Sequence, residues 1–93
     1  MAALSGQKTV TTAGTAEALG SVNVQGPLMV KALTTNTGLA YIGNDGAGDV
    51  ASTNGLPLLA GDVVVFDWVG NLASIMVDVA VDGEGVAWIV LDL

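Results

Sequence analysis

Cysteine and histidine are both absent from this chain of 93 residues. Without cysteine there can be no disulfide and no thiolate zinc site. Without histidine the commonest catalytic base is missing as well. A Ser–Lys pair is formally possible, with Ser5 or Ser74 beside Lys8 or Lys31, but nothing in the spacing selects one. We therefore expect a chain that is not an enzyme and that carries no cofactor.

Positive charge is almost as scarce. Lys8 and Lys31 stand against nine carboxylates, which gives a formal net charge of −7. Binding to nucleic acid or to an anionic membrane surface requires clustered lysine and arginine. We expect neither kind of partner, whereas a positively charged protein surface would be attracted.

Long apolar runs are missing too. The longest, Val86–Leu91, is far shorter than the roughly 20 residues of a membrane-spanning helix. Residues Met1–Gly6 have neither the basic nor the apolar region of a signal peptide. The expectation is a soluble chain made in the cytoplasm.

Apolar residues are nevertheless abundant, at 52% of the chain, and the mean hydropathy is +0.67. A single domain of this size buries only about 60–65% of the surface that its unfolded chain exposes. Apolar side chains are then left in water, and contiguous exposed apolar patches usually mark interaction sites. We expect this protein to associate with copies of itself or with a larger body.

The apolar residues fall into short β-branched runs separated by Gly, Asn, Asp and Thr, the pattern of an all-β domain. We predict a small antiparallel β-sandwich or jelly-roll-like domain of about eight short strands over residues 7–93, after an N-terminal tail or arm at residues 1–6. A helical turn remains an alternative for the second strand. The predicted strands are Gln7–Thr12, Thr15–Leu19, Leu28–Leu33, Leu39–Gly43, Leu56–Leu58, Val63–Trp68, Ile75–Val81 and Val86–Leu91.

The last predicted strand is apolar on both faces. Such a strand lies either at the centre of a sandwich or beneath a neighbouring subunit. We expect Trp68, Val86, Trp88 and Val90 to form a subunit interface. The two tryptophans could alternatively stack on sugars, but aromatic pairs on strands are more often core or interface anchors.

The loop Asn44–Asp49 places side-chain oxygens between glycines, as a calcium loop does. Asp45 and Asp49 are weak candidates for a Ca²⁺ or Mg²⁺ site. The twelfth-position Glu of an EF-hand is missing, and an unliganded turn requires the same residue types. We therefore expect a plain loop and no metal.

Paired carboxylates could in principle hydrolyse a glycosidic bond. The candidate pairs are Asp67 with Asp78 and Asp82 with Glu84. We expect the first pair to face solvent on strands and the second to lie in a polar hairpin turn.

Turn and core motifs along residues 8–90 resemble those of small structural proteins encoded among the virion genes of tailed bacteriophages. Trp68 departs from that pattern, since a small or polar residue is expected there. The motifs are Thr9–Thr12, Met29–Leu33, the Asn-Thr-Gly turn at residues 36–38, Tyr41–Asn44, Asn54–Leu58 with Ala60–Asp62, Asn71-Leu72 with Ile75–Asp78, and Val81 with Gly83–Val86.

The resemblance implies a β-sandwich on the outside of a phage particle, synthesised in the host cytoplasm and located on the virion. The expected role is capsid decoration: a homotrimer that binds the major capsid protein, bridges capsid subunits and stabilises the head. The alternative is a receptor- or glycan-binding domain of a phage spike, fibre or tail. The expected capsid contacts are Leu4, Asn44, Asp45, Asp49 and Asn54.

Overall fold

The computed structural model describes residues 3–91, which form an all-β domain with one 3₁₀ helix, Leu72–Ser74. All eight predicted strands are present, most of them shorter than predicted. They are β1 Leu4–Thr9, β2 Glu17–Ala18, β3 Leu28–Ala32, β4 Ala40–Gly43, β5 Leu56–Leu58, β6 Val63–Phe66, β7 Met76–Val79 and β8 Gly85–Val90. Within residues 3–91, no helix has the length and apolar character needed to cross a membrane.

The strands form two four-stranded antiparallel sheets, ordered β1-β8-β3-β6 and β2-β7-β4-β5. The first strand therefore pairs with the last, the second with the seventh, the third with the sixth and the fourth with the fifth. This nested pairing is the strand order of a jelly roll. The predicted fold class is confirmed.

One face of each sheet points into a shared core, as the period-2 alternation of a strand requires. In β3 the buried residues Leu28, Val30 and Ala32 alternate with exposed positions. Val77 and Val79 of β7 meet them from the second sheet. The chain crosses between the sheets at every connection except β4–β5, and the last crossing is the β7–β8 turn, residues 80–84.

The first strand begins earlier than the sequence predicted. Leu4 pairs with Val90 and packs against the core, so residues 4–6 belong to the sheet and not to an arm. The predicted boundary at residue 7 is wrong for these three positions, because cross-strand pairing overrides their weak local pattern. Met1 and Ala2, the rest of the predicted arm, lie outside the described residues.

The Asn54-Gly55 turn uses its glycine for packing and not for a left-handed backbone. Gly55 has no positive φ, but a Cβ built on it would lie 2.8 Å from both the Tyr41 Cβ and the Val50 Cγ2. The dipeptide forms a turn, as its composition indicates. Its glycine is needed there because other parts of the chain approach it closely.

Candidate interaction surface

The outer face of the first sheet carries a continuous group of exposed apolar side chains. Met29 lies between Ile89 on β8 and Val65 on β6 in register, and Val63 occupies the next outward row. These four residues, here called the outer apolar face, are between 39% and 55% exposed. Cross-strand neighbours stand about 5 Å apart, so their side chains form one patch.

The structure reverses the predicted roles of the two faces of β8. Val86 and Val90 are fully buried between the sheets and therefore cannot contact another subunit. That prediction is wrong for both residues. Trp88 shares their face, and its ring covers Gly6 on β1, where an added Cβ would lie 2.9 Å from the ring. It is half-buried against the core.

Sequence reasoning missed the opposite face because both halves of the β8 pattern are apolar. The alternation in β3 could have identified the outward face. Leu28, Val30 and Ala32 are small or aliphatic, whereas Lys31 must face water. Lys31 fixes the outward side of β3, and Met29 and Ile89 follow by register.

A shallow depression runs along the outer apolar face between β3 and β8. Met29, Lys31, Ala87 and Ile89 line it together with Trp88. It is almost entirely apolar apart from the Lys31 amine. Such a surface suits contact with another apolar surface and offers no set of polar groups that would orient a small ligand.

Trp68 is the most exposed large hydrophobic residue among those described, at 67%. It follows β6, and its ring lies over Gly70, where an added Cβ would meet the ring at 3.0 Å. Its exposed ring is accessible to a partner, and the interface role of Trp68 stays a prediction.

The Asn44–Asp49 loop uses its side-chain oxygens on its own backbone. The Asn44 Oδ1 accepts hydrogen bonds from the Gly46 and Gly48 amides, at 2.8 and 3.2 Å. The Asp45 Oδ1 accepts from Ala47 and Asp49, and the Asp49 Oδ1 accepts from Val50. Hydrogen bonds from backbone amides to nearby Asn and Asp side chains stabilise turns of this kind. Among residues 3–91 no group of three or more acidic side chains is close enough to hold a metal ion.

The expected capsid-contact residues leave the strands at one end of the sandwich. Gly43, which precedes the loop, pairs with the start of β7, and Leu4 pairs with the end of β8. Both positions are opposite the β7–β8 turn. Leu4 is half-buried in the sheet, whereas Asn44, Asp45, Asp49 and Asn54 are exposed. The four loop residues therefore stay accessible to a partner, and Leu4 only partly so.

The paired carboxylates do not form a cleft. Asp78 is only 3% exposed, so the expectation that it faces solvent is wrong. The Ala13-Gly14 turn covers it, and its Oδ1 accepts hydrogen bonds from the Gly14 and Val79 amides at 2.9 and 2.8 Å. Asp67 lies exposed after β6 in the other sheet.

Two glutamates hold turns in place. The Glu84 carboxylate accepts hydrogen bonds from the Gly38 amide at 3.0 Å and from the Thr37 amide at 2.7 Å, and these bonds lower its pKa. The Lys8 amine lies 2.8 Å from the Glu17 carboxylate, and this contact, with a bond from the Thr11 amide, lowers the pKa of Glu17. Both carboxylates stabilise the fold, since each accepts hydrogen bonds from backbone amides.

Compared with known proteins, the chain matches no family model, no curated protein and no solved structure.

Proposed function

We propose that this protein is a structural component of a bacteriophage virion that decorates the outer capsid surface and bridges capsid subunits. The observation that carries the proposal is the outer apolar face, which no described part of the chain covers. A domain that exposes such a patch on one face of a sheet is suited to being covered by a neighbour.

The copies associate through the outer apolar face, as a homotrimer, while the Asn44–Asn54 loop faces the capsid. The acidic loop suits a positively charged capsid surface, and the −7 net charge keeps the free protein soluble. Burial of apolar surface contributes about 25 cal/mol per Å². A contact of modest area therefore stabilises the head more when it is repeated in many copies. Jelly rolls occur in viral capsid proteins and in lectins, which is support at the level of the fold alone.

Undecorated capsids mixed with the purified chain test this proposal. The chain should sediment with the capsids at near-physiological salt and raise the temperature at which they disrupt. Replacing Asp45 and Asp49 by Asn keeps the acceptor oxygens that the loop needs and removes two charges, so capsid affinity should fall, most strongly at low salt. Asp82→Asn, compared with Asp45→Asn alone, is the matched control for one lost charge, because Asp82 lies in the β7–β8 turn at the opposite end. Absence of co-sedimentation would count against decoration.

The exposure of Trp68 favours a second candidate function, glycan binding by a spike, fibre or tail domain. An exposed indole is suited to stacking on a sugar ring, whereas Trp88 is half-buried over Gly6. Host polysaccharide should then quench tryptophan fluorescence, and Trp68→Ala should abolish the quenching while Trp88→Phe retains it. No quenching across a broad glycan panel would eliminate this candidate.

A further inference from the structure

Among the four edge strands formed by residues 3–91, β6 alone lacks protection against pairing. Natural edge strands are short, or carry lysine or proline, so that their free hydrogen-bonding groups do not attract other strands. β2 has two residues, β5 contains Pro57, and β1 carries Lys8 among polar neighbours. β6 consists of Val63–Phe66, four apolar residues.

The free edge of β6 presents the backbone groups of Val63 and Val65. The Ala32 amide donates to the Asp62 carbonyl at 2.9 Å, which fixes the alternation of the β3–β6 ladder. Val64 therefore bonds to β3, whereas the N–H and C=O groups of Val63 and Val65 point away from the sheet. Neither residue makes a hydrogen bond elsewhere within residues 3–91. The edge is a template for one more strand.

The charges around β6 determine which kind of strand can pair with its free edge. Two exposed carboxylates bracket β6 at its ends: Asp67, and Asp62, whose Oδ2 also accepts a hydrogen bond from the Leu59 amide at 2.9 Å. A second copy added along this edge would bring carboxylates against carboxylates in either strand direction, between chains of net charge −7. Lys31 lies one strand inward, and Lys8 is paired with Glu17. An incoming strand with basic residues at its ends would instead meet opposite charge at both ends.

We infer that the edge of β6 binds an extended segment of another protein, with an apolar centre flanked by lysine or arginine, as a fifth strand of the first sheet. Backbone hydrogen bonds to Val63 and Val65 supply the pairing, and Asp62 and Asp67 supply the selection for a basic partner. This inference is independent of the virion role, because it depends only on the edge and its two carboxylates.

The probe is the capped peptide Lys-Val-Thr-Val-Thr-Lys, with a control peptide in which both lysines are replaced by glutamate. Amide hydrogen exchange of the full chain, followed by NMR, is the readout. The lysine peptide should slow exchange at Val63 and Val65 and leave the already bonded Val64 unchanged. It should bind at least about tenfold more tightly than the glutamate peptide, with an affinity that falls as salt rises.

Two variants separate edge pairing from other binding. Val65→Pro removes an outward N–H that β3 does not use, and proline is tolerated on edge strands, so the fold should persist while peptide binding is lost. Val65→Thr retains the N–H, so the lysine peptide should still slow exchange at Val63 in this variant. Asp67→Asn, which leaves the edge intact, should weaken binding of the lysine peptide.

Three results would overturn the inference. The first is unchanged exchange at Val63 and Val65 with saturating lysine peptide. The second is equal affinity for the two peptides. The third is slowed exchange in the free chain that increases with protein concentration and is confined to the outward amides of Val63 and Val65, which would show that a second copy pairs with the edge.

Discussion

At the scale of single residues, Gly85 is the glycine with the least room for a side chain. It opens β8 opposite Thr9, and a Cβ built on it would overlap the Lys8 carbonyl oxygen and lie 2.7 Å from the Thr9 Cα. The buried Asn36 side chain holds the same residue, donating to its carbonyl at 2.8 Å and accepting from its amide at 3.3 Å. The obstacle to any side chain is thus backbone, which cannot move without breaking the β1–β8 ladder.

Gly85→Ala should therefore destabilise the domain by about 4 kcal/mol or more, in the range reserved for severe structural conflict. Gly83→Ala is the matched control, two residues earlier in the β7–β8 turn. Gly83 has a φ of 81° and open space around it, so its substitution should cost only the left-handed backbone penalty of about 1–2 kcal/mol. Urea unfolding measures both, and equal losses would contradict the packing argument.

Glu84 makes the free energy of unfolding depend on pH in the acidic range. Its hydrogen bonds with the Gly38 and Thr37 amides favour the carboxylate form, so its pKa in the folded chain lies below the ordinary value of 4.5. A group whose pKa is depressed on folding stabilises the fold above its unfolded pKa, and this contribution is lost as the pH falls through the folded pKa. Unfolding free energy should therefore decrease below about pH 4.5, as it should for Glu17 by the same reasoning.

Glu84→Gln isolates this contribution. The variant should be less stable than the parent at pH 7, and the difference should close as the pH is lowered, because protonation removes the same charge from the parent. Thermal unfolding between pH 7 and pH 3 measures the convergence. A difference that stays constant with pH would show that the charge of Glu84 is irrelevant.

At the scale of elements, the existence of every strand was predictable and the orientation of one was not. Alternating buried and exposed residues identify β3 from local sequence, because Lys31 cannot face the core. In β8 both sides are apolar, so local sequence cannot tell which side faces inward. The burial of Asp78 could not be predicted from local sequence either, since the turn that covers it comes from residues 13–14, far away in the chain.

Substitutions on the two sides of β8 test the corrected orientation. Val86→Thr replaces a methyl group by a hydroxyl in the closed core, where it should cost about 1–3 kcal/mol. Ile89→Thr replaces an ethyl group by a hydroxyl on the outer apolar face, yet it should lower the free energy of unfolding by less than about 1 kcal/mol, since the side chain already meets water. Chemical denaturation at a concentration where the chain is monomeric compares the two, and a reversed order would return β8 to the orientation first predicted.

At the scale of the whole molecule, composition and fold lead to the same expectation by different routes. The high apolar content predicted surface that one copy cannot bury, and the sheet geometry gathers part of that surface on the outer apolar face. Composition alone could not locate it, because position depends on the register between β3, β6 and β8. The −7 charge opposes contact between copies, so the two contributions respond oppositely to salt.

Light scattering of the purified chain at rising concentration and salt measures that balance. Self-association should strengthen with added salt, since screening weakens the repulsion while apolar burial persists, and the proposed homotrimer would have the mass of three copies. Val65→Thr combined with Ile89→Thr should shift the chain toward single copies without lowering its melting temperature appreciably. Val81→Thr, an exposed position in the β7–β8 turn, should leave association unchanged. A parent chain that stays single at every concentration and salt would mean that the outer apolar face tolerates water and is not a contact between copies.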